Sequence, residues 1–434
     1  MLPSADEDLV RRDADLPELA TLLDPEAFAA ALEERVPGLE VDSARVAYLK
    51  YKPGTNCLTA YKIGVGGREV DVYARTFGLD VEAKIGKALE RESVPSVPGP
   101  GRVVFEDRAI VANFFPNDDE LRSLKKLASL EDRRNLLKRI APDLPEIRDG
   151  ELRTLRYKPE RRYVARVEVD GEPRAIVKFY REEDYRRARR NAGVFSGGFA
   201  TTGPFRLTEM IGNSKRRRAV AFEWREGRPL REALLDPEER TAALETSGAA
   251  LAEFHAQDPG GLRRLDRGDE AKTLLSLVEP LVHNSPRLEG EIRNLAVDLA
   301  GRLMSEPEIS HPIHGDFYED QVLIGEATAT ILDLDEAACG DPAADLGLFM
   351  AHLEHDAMRG HLPSEVVAQA AEALLGGYGG ASEAPSAQKV SLYTAVGLFR
   401  LSPHPFRDRL QDWPELTEET LRRAEAFLKA EVKV

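Results

Sequence analysis

Residues 311–346 read HPIHGDFYEDQVLIGEATATILDLDEAACGDPAADL, and they set three oxygen-bearing side chains at spacings that suit one chemistry. Asp316 sits in His-Gly-Asp, Gln321 follows five residues later, and Asp333 ends the apolar run Ala329-Thr330-Ile331-Leu332. Phosphoryl transfer asks a protein mainly to position two substrates and neutralise phosphate charge, with a base near the acceptor hydroxyl and oxygen ligands for magnesium. Asp316 is the candidate base. The Gln321 carbonyl and the Asp333 carboxylate are hard oxygen donors of the type that magnesium takes. Apolar Val322-Leu323-Ile324 and the β-branched stretch from Thr328 to Ile331 predict two short strands turning at Gly325-Glu326. That hairpin brings Gln321 and Asp333 together.

The segment resembles the catalytic centre of the aminoglycoside phosphotransferase and choline kinase superfamily. Its pattern is His-Gly-Asp, four residues, Asn, then an apolar strand ending in Ile-Asp. On that resemblance Asp316 matches the catalytic Asp, Asp333 the magnesium-binding Asp, and Asp345 of Asp-Leu-Gly the aspartate twelve residues further on. Gln321 stands where the pattern has Asn, keeping the amide oxygen but placing it one methylene further from the backbone. The maltokinase-like branch, which carries an N-terminal cap, is similar in having Gln there. The resemblance implies an α+β, bilobal protein-kinase-like fold with a β-rich N-lobe and a helical C-lobe. It also implies ATP and magnesium between the lobes and a small-molecule hydroxyl acceptor. His314 reads as an imidazole bracing the loop, and Asp345 as a brace or as a cap of the helix expected from Leu346. Asp335 reads equally as an acid behind the site or a solvated charge.

A second feature is an internal repeat. Tyr48 to Tyr61 (YLKYKPGTNCLTAY) resembles Leu155 to Val167 (LRYKPERRYVARV), with Tyr-Lys-Pro identical in both. Each copy predicts strand, turn, strand, then a glycine-containing turn into a third strand, Val70 to Phe77 or Ala175 to Tyr180. A period of about 106 residues is too long for a solenoid unit, so a small domain is doubled within an N-terminal cap and the lobe that follows. The third strand of the second copy carries Lys178, an ammonium suited to the α- and β-phosphates of ATP. The first copy has Arg75 there. In the second copy's first turn, Lys158-Pro159-Glu160-Arg161-Arg162, no glycine-rich loop is present, and Arg161 or Arg162 is a candidate phosphate ligand. Glu182, Glu183 and Asp184 stand too close to Lys178 for the family's lysine-pairing Glu.

The strand from Arg218 to Gly227 runs into a glycine turn at the place of a hinge, so the main chain of Glu223, Trp224 and Arg225 is expected to serve adenine. Beyond Leu230, apolar residues at three- and four-residue steps predict helices, among them Thr241 to His255, Leu288 to Met304, Gln388 to Leu401 and Thr417 to Val432. His255 reads as a packing or capping residue at a helix end. The expected domains are a cap over 1–148, a nucleotide-binding lobe and hinge over 149–230, and a helical lobe over 231–434.

Composition supports this frame. At 434 residues the chain exceeds one ordinary core, and 42% hydrophobic with 31% charged residues suits a soluble globular protein. A formal net charge of −16 disfavours nucleic acid as a partner. Residues 152–190 nonetheless hold thirteen Arg or Lys against seven Asp or Glu, an island able to face polyphosphate. The N-terminal stretch MLPSADEDLVRRDADL resembles neither a secretory signal nor a membrane span, so a cytoplasmic location without membrane partners is expected. Cys57 and Cys339, far apart, argue against a disulfide framework or zinc site, and no feature speaks to an oligomeric state. Two other readings stand beside the kinase. One is a pseudokinase or ATP-binding regulator, motivated by Gln321. The other is a protein kinase, disfavoured by the missing glycine loop and by His-Gly-Asp in place of His-Arg-Asp.

Overall fold

The computed structural model describes residues 2–96 and 99–430. They form two compact units, one of Met1–Tyr185, Gly212–Ala221 and Pro405–Pro414, the other of Arg186–Ile211, Phe222–His404 and Glu415–Val434.

In the first unit the repeat is larger than a meander. Strands β1 (Ser43–Lys52), β2 (Asn56–Val65), β3 (Arg68–Phe77), β4 (Arg102–Phe105) and β5 (Ile110–Phe114) form a sheet in the order β1-β2-β3-β5-β4. The chain then adds β6 (Glu151–Lys158), β7 (Arg162–Val169) and β8 (Glu172–Tyr180). It passes through the helix Glu182–Gly198 and strand β9 (Phe205–Leu207) before β10 (Met210–Ser214) and β11 (Ala219–Glu223). The second sheet runs β6-β7-β8-β11-β10, the same order over again. Each sheet is preceded by a capped helix. Asp24 accepts from the Glu26 and Ala27 amides before Pro25–Arg35, and Ser129 accepts from the Asp132 amide before Leu130–Ile140. Each cap stabilises its helix by about 1 kcal/mol. Tyr61 fills the first core, stacked at 4.2 Å on Phe28 with its hydroxyl donated to Leu22 O at 2.6 Å.

Both Tyr-Lys-Pro turns are held the same way. Asp13 Oδ2 accepts from the Tyr51 hydroxyl at 2.5 Å and the Gly54 amide at 3.0 Å. Asp118 Oδ2 accepts from the Tyr157 hydroxyl and the Glu160 amide, both at 2.8 Å. The turn residue is left-handed in each copy, Gly54 at φ +62° and Glu160 at φ +58°. Glycine adopts that conformation freely, whereas the side chain of Glu160 makes it costly.

The second unit is mainly helical. Helices Arg240–His255, Glu289–Ser305 and Ala387–Leu401 stand where periodicity predicts them, Ser364–Ala381 joins them, and the last helix spans Trp413–Ala430. The expected continuation to Val432 lies outside the described residues. Arg240–His255 and Ser364–Ala381 approach closely because Gly248 and Gly377 lie between them. An added Cβ would meet Leu374 O at 2.1 Å and Glu245 O at 2.0 Å respectively. A helical glycine costs about 1 kcal/mol against alanine, and here it lets Tyr378 reach His255. Strands β12 (Arg228–Pro229), β13 (His311–Ile313), β14 (Val322–Ile324), β15 (Ala329–Ile331) and β16 (Ala338–Gly340) make the sheets β12-β14-β15-β9 and β13-β16. No described helix is long and apolar enough to cross a membrane.

Candidate active site

The predicted hairpin forms. Val322 pairs with Ile331 and Ile324 with Ala329, and the turn closes with Gly325 N donating to Thr328 O at 2.8 Å. Leu332 N donates to Gln321 O at 2.8 Å, which sets Gln321 and Asp333 at the same open end of the hairpin. The Gln321 side chain is buried. Asp333 takes a left-handed backbone, φ +57°, as the strand breaks into the turn Leu334–Glu336.

Asp316 rides on a loop braced from behind. Asp345 lies in the first turn of the helix Ala343–Met358, fully buried, but its carboxylate serves the loop rather than capping the helix. It accepts from His314 N at 2.6 Å, from Gly315 N at 2.8 Å and from His255 Nε2 at 3.0 Å. Burial pushes this carboxyl up, but the His255 hydrogen bond and the two imidazoles hold it below the ordinary value on balance. His314 performs the bracing expected of it. Its Nδ1 accepts from Asp316 N at 3.2 Å, so the ring proton belongs on Nε2, which donates to Leu332 O at 2.6 Å. One imidazole thus ties the Asp316 loop to the Asp333 end of the hairpin. Gly315, at φ +78°, admits no side chain, since a Cβ would stand 2.7 Å from Glu336 O.

Two supports escaped the sequence reading. His255, read as packing, bridges Asp345 and the Tyr378 hydroxyl at 3.0 Å each. Arg231 in the short helix Leu230–Leu234 donates to Asp320 Oδ1 at 2.5 Å, to Asp356 Oδ2 at 2.9 Å, and to buried Glu319. It therefore fixes the turn between Asp316 and Gln321. Burial drives the Glu319 carboxyl upward against the pull of Arg231. No local pattern marks either partner, because each meets its acid only in the folded chain. Asp335 is buried, and its carbonyl accepts from Asn191 Nδ2 at 3.1 Å.

Among the described residues no three His, Cys, Asp or Glu side chains converge on a metal position. The oxygen pair of Gln321 and Asp333 still fits magnesium, which takes one or two protein ligands and fills its shell with water and phosphate oxygens.

The remaining candidates divide between the units. In the first, Lys178 on β8 is buried and sits opposite Val164 on β7. Arg161 is exposed with Nε 3.9 Å from Asp184, and Arg162 opens β7 between Lys158 and Tyr180. Asp184 is bound to Arg181 at 2.9 Å and Glu182 to Arg218 at 2.9 Å. In the second, Glu223 donates its amide to Glu209 O at 3.0 Å and accepts at Oε1 from Glu209 N at 2.9 Å and Arg225 Nε at 2.7 Å. The Glu223 N–H is therefore already engaged, and Trp224 lies between these two side chains in sequence.

Residues 118–388 match the phosphotransferase enzyme family. No curated protein matches the chain. Similar solved structures include wild-type aminoglycoside 2'-phosphotransferase-IIIa in its GDP complex, 17% identical, covering 68% of this chain and 98% of that one at TM-score 0.46. A choline/ethanolamine kinase family protein from Mesorhizobium loti is 16% identical over 69% and 95% of the two chains, TM-score 0.46. The gentamicin complex of APH(2")-IIa is 14% identical over 66% and 96%, TM-score 0.47. The family match covers well over half of the sequence and contains every candidate site residue, so this chain belongs to the phosphotransferase enzyme family.

Proposed function

We propose that the enzyme moves the γ-phosphate of ATP to a hydroxyl of a sugar, aminosugar or aminoglycoside-like acceptor. Asp316 orients that hydroxyl and takes its proton as the acceptor oxygen bonds to the γ-phosphorus. The bond from phosphorus to the β–γ bridging oxygen breaks, and ADP leaves with that oxygen. Gln321 and Asp333 hold magnesium, which when bound neutralises charge on the phosphates. Lys178 is assigned to the α- and β-phosphates, Arg161 and Arg162 to a supplementary phosphate contact, and the main chain about Glu223, Trp224 and Arg225 to adenine.

The observation that carries this reading is the brace behind Asp316. Three hydrogen bonds on Asp345 and two on His314 hold the loop that carries Asp316, and the His314 ring joins that loop to Leu332, the residue before Asp333. Preorganisation of that kind is what a positioning mechanism requires. The test is phosphate transfer from ATP, followed by phosphorus NMR, across a panel of sugars, aminosugars and aminoglycosides. Turnover on at least one of them is expected, with Asp316→Asn lowering kcat about 100-fold or more. ATP binding with no transfer to any acceptor would instead favour a nucleotide-binding regulator.

A further inference from the structure

The duplication places a basic row on both sheets. In the second sheet Arg156 pairs with Val164 and Val164 with Lys178. In the first, Lys50 pairs with Leu58 and Leu58 with Arg75. Directly opposed residues share a sheet face, so cation, aliphatic, cation recurs across three strands in each copy, and Arg75 occupies the place of Lys178.

The first row faces a cavity of about 360 Å³ whose lining also includes Glu160, Arg161 and Arg181. Four cations thus meet there. Burial, with the nearby Arg181, Arg75 and Arg161 guanidinium groups, holds the Lys50 ammonium below its ordinary value, opposed by Glu160. Four carboxylates also border the space, but their commitments differ. Glu182 is bound to Arg218 at 2.9 Å, Glu183 approaches Arg181 only to 3.7 Å, and Glu120 is exposed. Glu160 alone enters the row, ion-paired with Arg75, and it does so from a left-handed turn residue where the first copy has glycine. The Arg75 Nε–H is buried without a hydrogen-bond partner among the described residues, so that guanidinium has a donor in reserve.

We propose that the Lys50–Arg75 face of the first sheet is a second anion site, for a small phosphate-bearing ligand of the di- or triphosphate class, and that the Glu160 carboxylate is its internal occupant. A bound polyphosphate competes with Glu160 for Arg75. Site occupancy is thereby coupled to the turn between β6 and β7, since Glu160 is that turn's central residue. The inference stands on Lys50, Arg75 and Glu160 and holds whether or not Asp316 performs transfer.

The probe is inorganic pyrophosphate, titrated calorimetrically into the full chain at fixed ionic strength and at a pH of about 8, where Glu160 is ionised. Glu160→Gln keeps the side-chain shape and removes the competing charge, so binding should tighten about tenfold, the ratio one charge-assisted contact carries. Adding Lys50→Gln should return the affinity to wild type or weaker. The tightening should survive in a Lys178→Gln background, which separates this site from the proposed nucleotide site. Unchanged or weaker binding in Glu160→Gln overturns the proposal, as does a gain that ignores Lys50 or vanishes with Lys178→Gln.

Discussion

Three donors converge on the buried Asp345 carboxylate, and two of them are main-chain amides of the loop that carries Asp316. Asp345→Asn keeps the volume but turns one acceptor into a donor facing an N–H. A buried donor left unsatisfied costs about 1–3 kcal/mol, and urea unfolding should show a loss of that size. Because the loop then relaxes, kcat should fall by more than KM for ATP rises. Gln321 permits a finer test. Its main-chain carbonyl, bonded to Leu332 N, keeps the backbone in place when the side chain is shortened. Gln321→Asn withdraws the oxygen by one methylene, and the magnesium concentration for half-maximal activity should rise about tenfold, the low end for disturbed metal sites. An unchanged magnesium curve would remove Gln321 from the metal. The hairpin that brings Gln321 and Asp333 to one end was legible in the sequence because its two apolar strands and the turn between them lie within ten residues. His255 and Arg231 were not, since a side chain that meets its partner ninety positions away leaves no local pattern.

At the scale of elements, the clasp that fixes each Tyr-Lys-Pro turn sets the β-hairpins in register. Asp118 accepts from the Glu120 and Leu121 amides as well as from Tyr157 and Glu160, four hydrogen bonds on one buried carboxylate. Asp118→Ala should therefore destabilise the first unit by about 3 kcal/mol, in the range of a broken buried network. Asp13, with its two bonds to Tyr51 and Gly54, should cost clearly less on replacement by Ala. Urea midpoints of the two variants give the comparison, and equal losses would contradict a network reading. The Tyr-Lys-Pro repeat was readable as a doubled meander, but its extension to five strands was not. Strands β4 and β10 are short and lack a shared motif. A weaker signal existed in Asp13-Ala14-Asp15-Leu16 against Asp118-Asp119-Glu120-Leu121, an Asp followed three residues later by a buried Leu, with the Asp 38 residues before one tyrosine and 39 before the other.

At the scale of the whole molecule, two compact units imply more than one unfolding transition, and buried titratable groups give the units different responses to pH. In the first unit, burial raises Glu160 from 4.5 to about 7 against the attraction of Arg75. The folded state then binds a proton that the unfolded chain has released, so stability falls as pH rises from about 4.5 to 7, with a slope approaching about 1.4 kcal/mol per pH unit. In the second unit, burial and the neighbouring Arg359 lower His355 from 6.5 to about 4. There the unfolded chain takes the proton first, and stability is lost as pH falls from 6.5 towards 4. Burial likewise lowers His352 from 6.5 to about 3 and adds to that loss, while the raised Glu319 carboxyl works in the opposite sense within the same unit and offsets only one of the two imidazoles. Acidification from pH 7 to 5 should therefore stabilise the first unit and destabilise the second. Glu160→Gln should flatten the first response alone. His355→Gln should leave His352 and Glu319 opposed and bring the second unit nearly level on acidification, a separation that calorimetric scans at pH 7, 6 and 5 resolve directly. One common shift of both transitions, unaltered by either substitution, would show that these two side chains do not govern the acid response.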